Sequence, residues 1–185
     1  MLRQSVKRMA YASTKTNIAN DRDYYGTPPE YIQLARKTMG NIELDPASSK
    51  EANDCFVKAK RIWTVQDDGL AQSWLSQTIW MNPPYSSRGA YEFARKFAEE
   101  CKLGHINQSV VLVNSATGTR AFRYLLDNSD AICFCNKRIQ FIDPSGKRSQ
   151  TSNSKEQLFF YRGGRVKTFA KQFGTIGRVL STKVL

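Results

Sequence analysis

Apolar runs and amphipathic segments alternate along most of the chain. The runs in NIELD, QTIWM, SVVLVN and DAICFC are typical of buried strands. Between them, PPEYIQLARKTMG, SSRGAYEFARKFAEECKLG and GTRAFRYLLDNS carry apolar residues at helical spacing and predict amphipathic helices. This alternation predicts an α/β fold with an open, mostly parallel central sheet and helices on both faces.

The two ends of the chain differ from this pattern. Residues 1–22 are polar and basic without a sustained period, and they predict a flexible N-terminal arm before one domain over residues 23–185. Near the C-terminus, RIQFID and QLFFYRGG predict two strands bridged by the basic loop PSGKRSQTSNSKE. We expect these two strands to form an antiparallel C-terminal hairpin.

Composition narrows the choice of partners. The net charge of +12 favours a polyanion such as nucleic acid, although a basic surface can also serve solubility alone. Four cysteines without a CxxC pair and a single histidine argue against a metal site. No segment approaches 18 apolar residues, so we expect no membrane span or signal peptide, and reduced cysteines suggest a cytoplasmic protein.

The stretch NPPY, which follows the strand QTIWM, carries the candidate chemistry. Two prolines force the chain out of the sheet and donate no backbone hydrogen bond. Asn82 adds a side-chain acceptor, Pro83 a carbonyl, and Tyr85 an aromatic face. Two acceptors and a ring suit an exocyclic amine on a planar base, whereas the alternative is a proline turn with a capping Asn.

The wider motif order resembles a known family. NPPY resembles the catalytic motif of S-adenosylmethionine-dependent methyltransferases that act on amino groups. The succession TPP, ELDPAS with Asn53, DDGL, NPPYS, VVLVNSATGTRAF, RIQF and LFFYR resembles the phage-type Dam-like DNA adenine methyltransferases over roughly residues 24–162. The resemblance implies a single Rossmann-like methyltransferase domain, with S-adenosylmethionine as cofactor and double-stranded DNA as partner, in a bacterial or phage-infected host cytoplasm.

The resemblance also assigns roles to residues. It implies that the target adenine, flipped out of the duplex, is held by Asn82, Pro83, Pro84 and Tyr85. Asp45 would bind the methionine ammonium, Thr27 and Pro28 would lie near its carboxylate, Asn53 near the ribose and Asp68 near the cofactor adenine. The full set of expected cofactor-binding residues is Thr27, Pro28, Asp45, Pro46, Asn53, Asp68 and Asn82.

Several of these assignments have plain structural alternatives. Asp45 can cap a turn, Thr27-Pro28-Pro29 can start a helix, and Asp67-Asp68-Gly69 can be an ordinary turn. Basic residues expected to contact DNA phosphates can instead form a solvated face; they are Arg88, Lys147, Arg148 and Lys155. Two alternative functions stay open: the same chemistry on an RNA adenine or a protein glutamine amide, and a non-catalytic DNA-binding module.

Overall fold

A seven-stranded sheet in the order β2-β1-β3-β4-β6-β5-β7 organises the protein. The structure is a computed structural model that describes residues 26–143, 146–148 and 154–183. The strands are β1 (Leu44–Asp45), β2 (Arg61–Ile62), β3 (Ser76–Met81), β4 (Ile106–Asn114), β5 (Ala131–Cys135), β6 (Gln157–Arg162) and β7 (Gly177–Ser181). The helices are α1 (Pro29–Met39), α2 (Lys50–Ala52), α3 (Ser87–Lys102), α4 (Arg120–Asp127) and α5 (Val166–Phe173), and a π-helical segment, Asn53–Val57, continues α2.

Helices cover both faces of the sheet, as the sequence predicts. Along β3, the Trp80 side chain joins one buried cluster, which includes residues of α1 and α5. Its neighbours Ile79 and Met81 join a second cluster, with residues of α3 and α4. This alternation is the period of two expected for a strand that is buried on both faces.

The prediction of a mostly parallel sheet is not confirmed. β1 pairs in parallel with β2 and β3, and β3 pairs in parallel with β4. The other three pairings of the described sheet are antiparallel: β4 with β6, β5 with β6, and β5 with β7. The parallel half carries the residues of the candidate site, and the antiparallel half completes the sheet on the other side.

The predicted hairpin between RIQFID and QLFFYRGG is wrong. QLFFYR forms β6, which lies between β4 and β5, because its side chains are buried on both faces and suit the interior of a sheet. RIQFID forms only isolated bridges, in which Ile142 pairs with Gly26 and with Arg148. The backbone amide of Ile139 donates instead to the side chain of Gln157, at 2.9 Å.

The last elements, α5 and β7, do not follow from the motif pattern. Phe169 and Phe173 of α5 are fully buried against the sheet. β7 then forms the edge beyond β5. The expected N-terminal arm, residues 1–22, lies outside the described residues, and the proposed boundary at residue 23 stays a prediction.

Candidate active site

Two adjacent parallel strands end at the same edge of the sheet and bring the candidate residues together. β1 ends at Asp45, and β3 ends at Met81, directly before Asn82. Leu44 is in register with Ile79, so these two strand ends lie side by side. Ligand sites of open α/β sheets lie outside the carboxyl ends of such strands.

The Asn82 side chain is held in one orientation by Thr27. Its Nδ2 donates to the Thr27 hydroxyl at 3.0 Å. Its Oδ1 is buried and has no hydrogen-bond partner in the part of the chain that the structure describes. A buried acceptor without a partner costs free energy, which makes this oxygen a candidate for contact with a ligand.

The two prolines carry the chain from β3 to α3. Neither has an amide hydrogen, so the segment adds no donor of its own beside the Asn82 oxygen. Pro83 is buried and Pro84 is half-buried. Helix α3 then begins with Ser86 as its N-cap, whose hydroxyl accepts from the Gly89 amide at 3.1 Å.

Tyr85 stands beside Phe141 at the end of this turn. The two ring centroids are 5.7 Å apart with an interplanar angle of 71°, an edge-to-face contact. Phe141 is 7% exposed and belongs to the core, whereas Tyr85 is half-buried. Phe141 therefore braces the Tyr85 ring and leaves part of it accessible.

Asp45 is a buried carboxyl group without a cationic partner among the described residues. It is 3% exposed, and its Oδ1 accepts from the Ala47 amide at 3.1 Å. Burial raises the pKa of the Asp45 carboxyl to about 7, although the Ala47 amide and the Ser48 hydroxyl act in the opposite direction. A cation bound here would lower that pKa and would compensate the buried charge.

The turn after Asp45 is closed by the segment that follows β2. The Trp63 amide donates to the Asp45 carbonyl and the Ser48 amide donates to the Trp63 carbonyl, both at 3.0 Å. A Cβ atom on Gly69 would lie 2.1 Å from the Pro46 carbonyl oxygen, so only glycine fits there. The Trp63 Nε1 is buried and has no hydrogen-bond partner in the described part of the chain.

Of the two acidic residues before Gly69, Asp67 makes side-chain hydrogen bonds within its turn and Asp68 is exposed. The Asp67 carboxylate accepts from the Thr64 amide at 2.8 Å and from the Thr64 hydroxyl at 2.7 Å, which closes an ordinary turn. Asp68 is exposed and has a positive φ of 52°. Its neighbour Gly69 packs against the Pro46 carbonyl, so Asp68 lies near the turn after Asp45 and is itself exposed to solvent.

The side-chain amide of Asn53 makes two hydrogen bonds, both to the backbone of Ala59. Its Oδ1 accepts from the Ala59 amide at 2.7 Å, and its Nδ2 donates to the Ala59 carbonyl at 3.3 Å. These bonds close the loop between the π-helical segment and β2. The geometry gives Asn53 a structural role, and its expected contact with a ribose stays a prediction.

The basic residues fall into two groups around the site. Arg88 is exposed in the first turn of α3, three residues after Tyr85. Lys147 and Arg148 are exposed on the segment that returns from Ile142, and Lys155 is exposed just before β6. Their contact with DNA phosphates stays a prediction.

Within residues 26–143, 146–148 and 154–183, no group of three His, Cys, Asp or Glu side chains could hold a metal ion. No helix in the same ranges has the length and apolar character needed to cross a bilayer. The four cysteines are free: Cys101 and Cys133 are buried, Cys135 is half-buried and Cys55 is exposed.

The mixed α/β fold and these strand-end residues define a candidate ligand site at the carboxyl edge of the sheet. A family model described as DNA N-6-adenine-methyltransferase (Dam) matches residues 13–182, and the chain therefore belongs to this family. The match also includes α5 and β7, which the sequence resemblance left out. Its activity is DNA adenine methylation, and neither an RNA base, a protein amide nor a non-catalytic role is favoured.

A curated relative supports the same assignment. The DNA N-6-adenine-methyltransferase of Haemophilus phage HP1 (strain HP1c1) is 29% identical to the chain over 148 residues. The aligned part covers 78% of this chain and 82% of the relative. The chain therefore corresponds to most of that phage enzyme's length.

Sequence reasoning missed three contributors to the site. It did not foresee that Thr27 would bond to Asn82, because the two are 55 positions apart. Phe141 and Trp63 were also missed. Trp63 could have been noticed as an aromatic residue four positions before the DDGL motif, but nothing in the sequence indicates that Phe141 contacts Tyr85.

Proposed function

We propose that this enzyme transfers a methyl group from S-adenosylmethionine to the N6 amine of an adenine flipped out of double-stranded DNA. The observation that carries the proposal is the oriented Asn82 amide, whose buried Oδ1 has no described partner. An exocyclic amine is a donor of the kind that this oxygen lacks. The adenine amine is paired inside a duplex, so the base must leave the stack to reach the oxygen.

The residues at the end of β1 fit the proposed cofactor. A methionine moiety carries an ammonium group, and the buried Asp45 carboxyl lacks a cationic partner in the described chain. The unpartnered Trp63 Nε1 and the exposed Asp68 lie around the same turn and offer a donor and an acceptor for other polar atoms of the cofactor. In its bound form, S-adenosylmethionine supplies an electrophilic methyl group on a positively charged sulfur.

Asn82 and Pro83 act on the nucleophile. The Asn82 Oδ1 and the Pro83 carbonyl would each accept one hydrogen of the adenine amine. Two such hydrogen bonds draw the amine nitrogen out of conjugation with the ring and concentrate its lone pair toward the methyl group. The nitrogen releases one of these hydrogens as a proton once the new bond has formed. These interactions strengthen as the amine becomes positively charged, so they lower the barrier.

Tyr85 acts on the base as a whole. Its ring is braced by Phe141 and half-buried, so one side is available to stack on a flipped adenine. Stacking of a base on an aromatic side chain contributes about 1–3 kcal/mol. Pro84 keeps the Tyr85 backbone at a fixed distance from Asn82, because its ring fixes φ.

The proposal is tested by single-turnover methylation of unmethylated duplex DNA with labelled S-adenosylmethionine, followed by nucleoside analysis. We expect N6-methyladenine as the labelled product. Asn82→Ala should lower the single-turnover rate roughly 10²–10³-fold or more, while DNA and cofactor still bind. Tyr85→Phe should retain most of the rate, and Tyr85→Ala should lose both base capture and rate.

Asn107→Ala serves as the matched control. Asn107 is an exposed amide near the start of β4, at the opposite edge of the sheet, and this variant should behave as the unmodified enzyme. A fully active but less stable Asn82→Ala variant would contradict the proposed mechanism. Label on another nucleoside, or on protein, would contradict the proposed acceptor.

A further inference from the structure

The amide of Asn82 has two unlike ends, and only one of them can serve the proposed reaction. The oxygen accepts hydrogen bonds, whereas the NH₂ group donates two. If the amide turned over, its NH₂ group would face the donor hydrogens of the adenine amine and repel them. The orientation of this side chain is therefore as important as its position.

One hydrogen bond sets that orientation among the described residues. The Asn82 Nδ2 donates to the Thr27 Oγ1 at 3.0 Å, and the Oδ1 is left without a described partner. If the amide turned over, the Oδ1 could still accept from the Thr27 hydroxyl, but the buried NH₂ would then take the place of the acceptor. The observed orientation is preferred when the Thr27 hydroxyl donates its own hydrogen elsewhere, because its oxygen can then only accept and pairs with the Asn82 NH₂ group.

The start of α1 leaves the Thr27 hydroxyl free for this role, because Pro29 has no amide hydrogen and no described bond joins the Glu30 amide to Thr27. A Thr before a helix commonly accepts a hydrogen bond from an amide two or three positions ahead. Pro28 and Pro29 have no amide hydrogen. The N-cap of α1 is Pro28, without any side-chain cap, and the Tyr31 amide donates to the Pro28 carbonyl at 3.1 Å. The start of α1 therefore does not use the Thr27 hydroxyl.

The backbone around Thr27 is fixed on both sides. On one side, Gly26 and Ile142 exchange two backbone hydrogen bonds of 2.8 Å each. On the other, Pro28 has a φ of −56° and leads directly into α1. Thr27 itself is 5% exposed. The constrained backbone therefore holds the buried Thr27 hydroxyl at a fixed position beside the Asn82 amide.

We infer that Thr27 is a positioning residue that keeps the Asn82 oxygen facing the adenine amine. The inference rests on the proposed role of Asn82 and goes beyond the expected contact of Thr27 with the cofactor carboxylate. The two roles are compatible in principle, because the hydroxyl accepts from Asn82 and retains one hydrogen to donate. A positioning role predicts that a Thr27 variant lowers the single-turnover rate, whereas a cofactor contact predicts that it raises the dissociation constant for S-adenosylmethionine.

The test compares Thr27→Val with Thr27→Ser. Thr27→Val keeps the shape of the side chain and removes the hydroxyl, so we expect the single-turnover rate to fall roughly 5- to 100-fold, the range for loss of one buried hydrogen-bond partner. The dissociation constants for S-adenosylmethionine and for DNA should stay within about two-fold. Thr27→Ser keeps the hydroxyl and should restore most of the rate.

Thr38→Val is the matched control. Thr38 is a fully buried threonine of α1 whose hydroxyl donates to the Leu34 carbonyl at 2.9 Å. The same isosteric change there can lower stability but should leave the single-turnover rate unchanged. If Thr38→Val slows the reaction as much as Thr27→Val does, the effect of Thr27 is general destabilisation and the inference is overturned.

A second experiment separates loss of amide orientation from a general effect of Thr27→Val on folding, because a general effect would be the same in both backgrounds. A carboxylate has two equivalent oxygens and needs no orientation, so the rate penalty of Thr27→Val should be much smaller when it is added to Asn82→Asp. An undiminished penalty in the double variant would overturn the inference, as would a Thr27→Val variant that loses cofactor affinity but not rate. A fully active Thr27→Val beside an inactive Asn82→Ala would also overturn it and leave the proposed function intact.

Discussion

The Arg148 guanidinium donates to the Glu30 carboxylate at 2.6 Å and joins the segment after Ile142 to the first turn of α1. Both side chains are about half exposed, at 52% and 46%, so this pair contributes at most about 1 kcal/mol to stability. The main consequence of the pair is that it ties the segment after Ile142 to the first turn of α1. The Arg148 charge is paired with a carboxylate, whereas its neighbour Lys147 makes no ion pair within the described part of the chain.

Lys147 should therefore contribute more to DNA affinity than Arg148. The plot of log affinity against log salt concentration has a negative slope, and each phosphate contact that is lost makes it less steep by about 0.9. We expect Lys147→Ala to flatten the slope by nearly this amount and Arg148→Ala to flatten it less. The measurement is DNA binding by fluorescence anisotropy across a salt series.

Lys102→Ala is the control for this experiment. Lys102 is exposed at the last residue of α3, a 16-residue helix that begins beside the NPPY turn, so it lies roughly 24 Å from that turn. If Lys102→Ala and Lys147→Ala change the slope equally, the DNA does not contact the segment after Ile142 specifically.

Asp45 should make the stability of the ligand-free protein depend on pH. Burial raises the pKa of this carboxyl to about 7 in the folded state, whereas the unfolded chain loses the proton near pH 4. Between these values the folded state binds more protons, so the free energy of unfolding decreases as pH rises and levels off above about pH 7. Asp45→Asn should remove this decrease and stabilise the ligand-free protein at pH 8 by roughly 1–4 kcal/mol.

The same substitution should weaken cofactor binding. Loss of a charged partner for the methionine ammonium should cost roughly 1.5–3 kcal/mol of affinity. Denaturant unfolding at pH 4 and pH 8 and calorimetric titration with S-adenosylmethionine give the two readouts. A variant that is less stable than the unmodified protein at pH 8 would contradict an unpaired buried carboxylate at position 45. A variant that binds the cofactor with unchanged affinity would contradict the role of Asp45 in cofactor binding.

Asn53→Ala should affect stability rather than cofactor affinity. Its amide bonds both backbone groups of Ala59, and removal leaves a half-buried amide and carbonyl without that partner. We expect a loss of roughly 1–3 kcal/mol in the free energy of unfolding, with little change in the dissociation constant for S-adenosylmethionine. A large rise in that constant in a stable variant would instead restore the expected ribose contact.

Gly69→Ala should disrupt the turn that follows Asp45. The added methyl group would lie 2.1 Å from the Pro46 carbonyl oxygen, so the backbone would have to move. We expect a loss of roughly 2 kcal/mol or more in stability, together with weaker cofactor binding. Gly118→Ala is the control, since nothing lies within 4 Å of a Cβ atom there. Equal effects of the two substitutions would show that the Gly69–Pro46 contact is unimportant.

The sequence predicted those parts of the fold that depend on local pattern. QTIWM and SVVLVN became the central strands β3 and β4, and the helix that opens at Pro29 ends before Gly40, which has a positive φ of 96°. Periodicity and proline and glycine preferences act over a few residues, so they can be read from one segment at a time.

Pairing between distant segments could not be predicted in the same way. QLFFYR carries apolar residues that suit any interior strand, and nothing local indicates that it lies between β4 and β5 rather than beside RIQFID. The same limit applies to the site. NPPY and ELDP mark strand ends by composition, but the bond between Thr27 and Asn82 depends on the tertiary fold.

The position of β6 also affects the order in which the protein can form during synthesis. β6 occupies the space between β4 and β5, so until residues 157–162 leave the ribosome these two strands have no strand between them. The nascent chain at that stage leaves one edge of β4 and both edges of β5 unpaired, which is the condition that favours association with other chains. Stop codons or pauses shortly before residue 157 should therefore yield aggregation-prone fragments, whereas the completed β6 pairs with the facing edges of β4 and β5 at once.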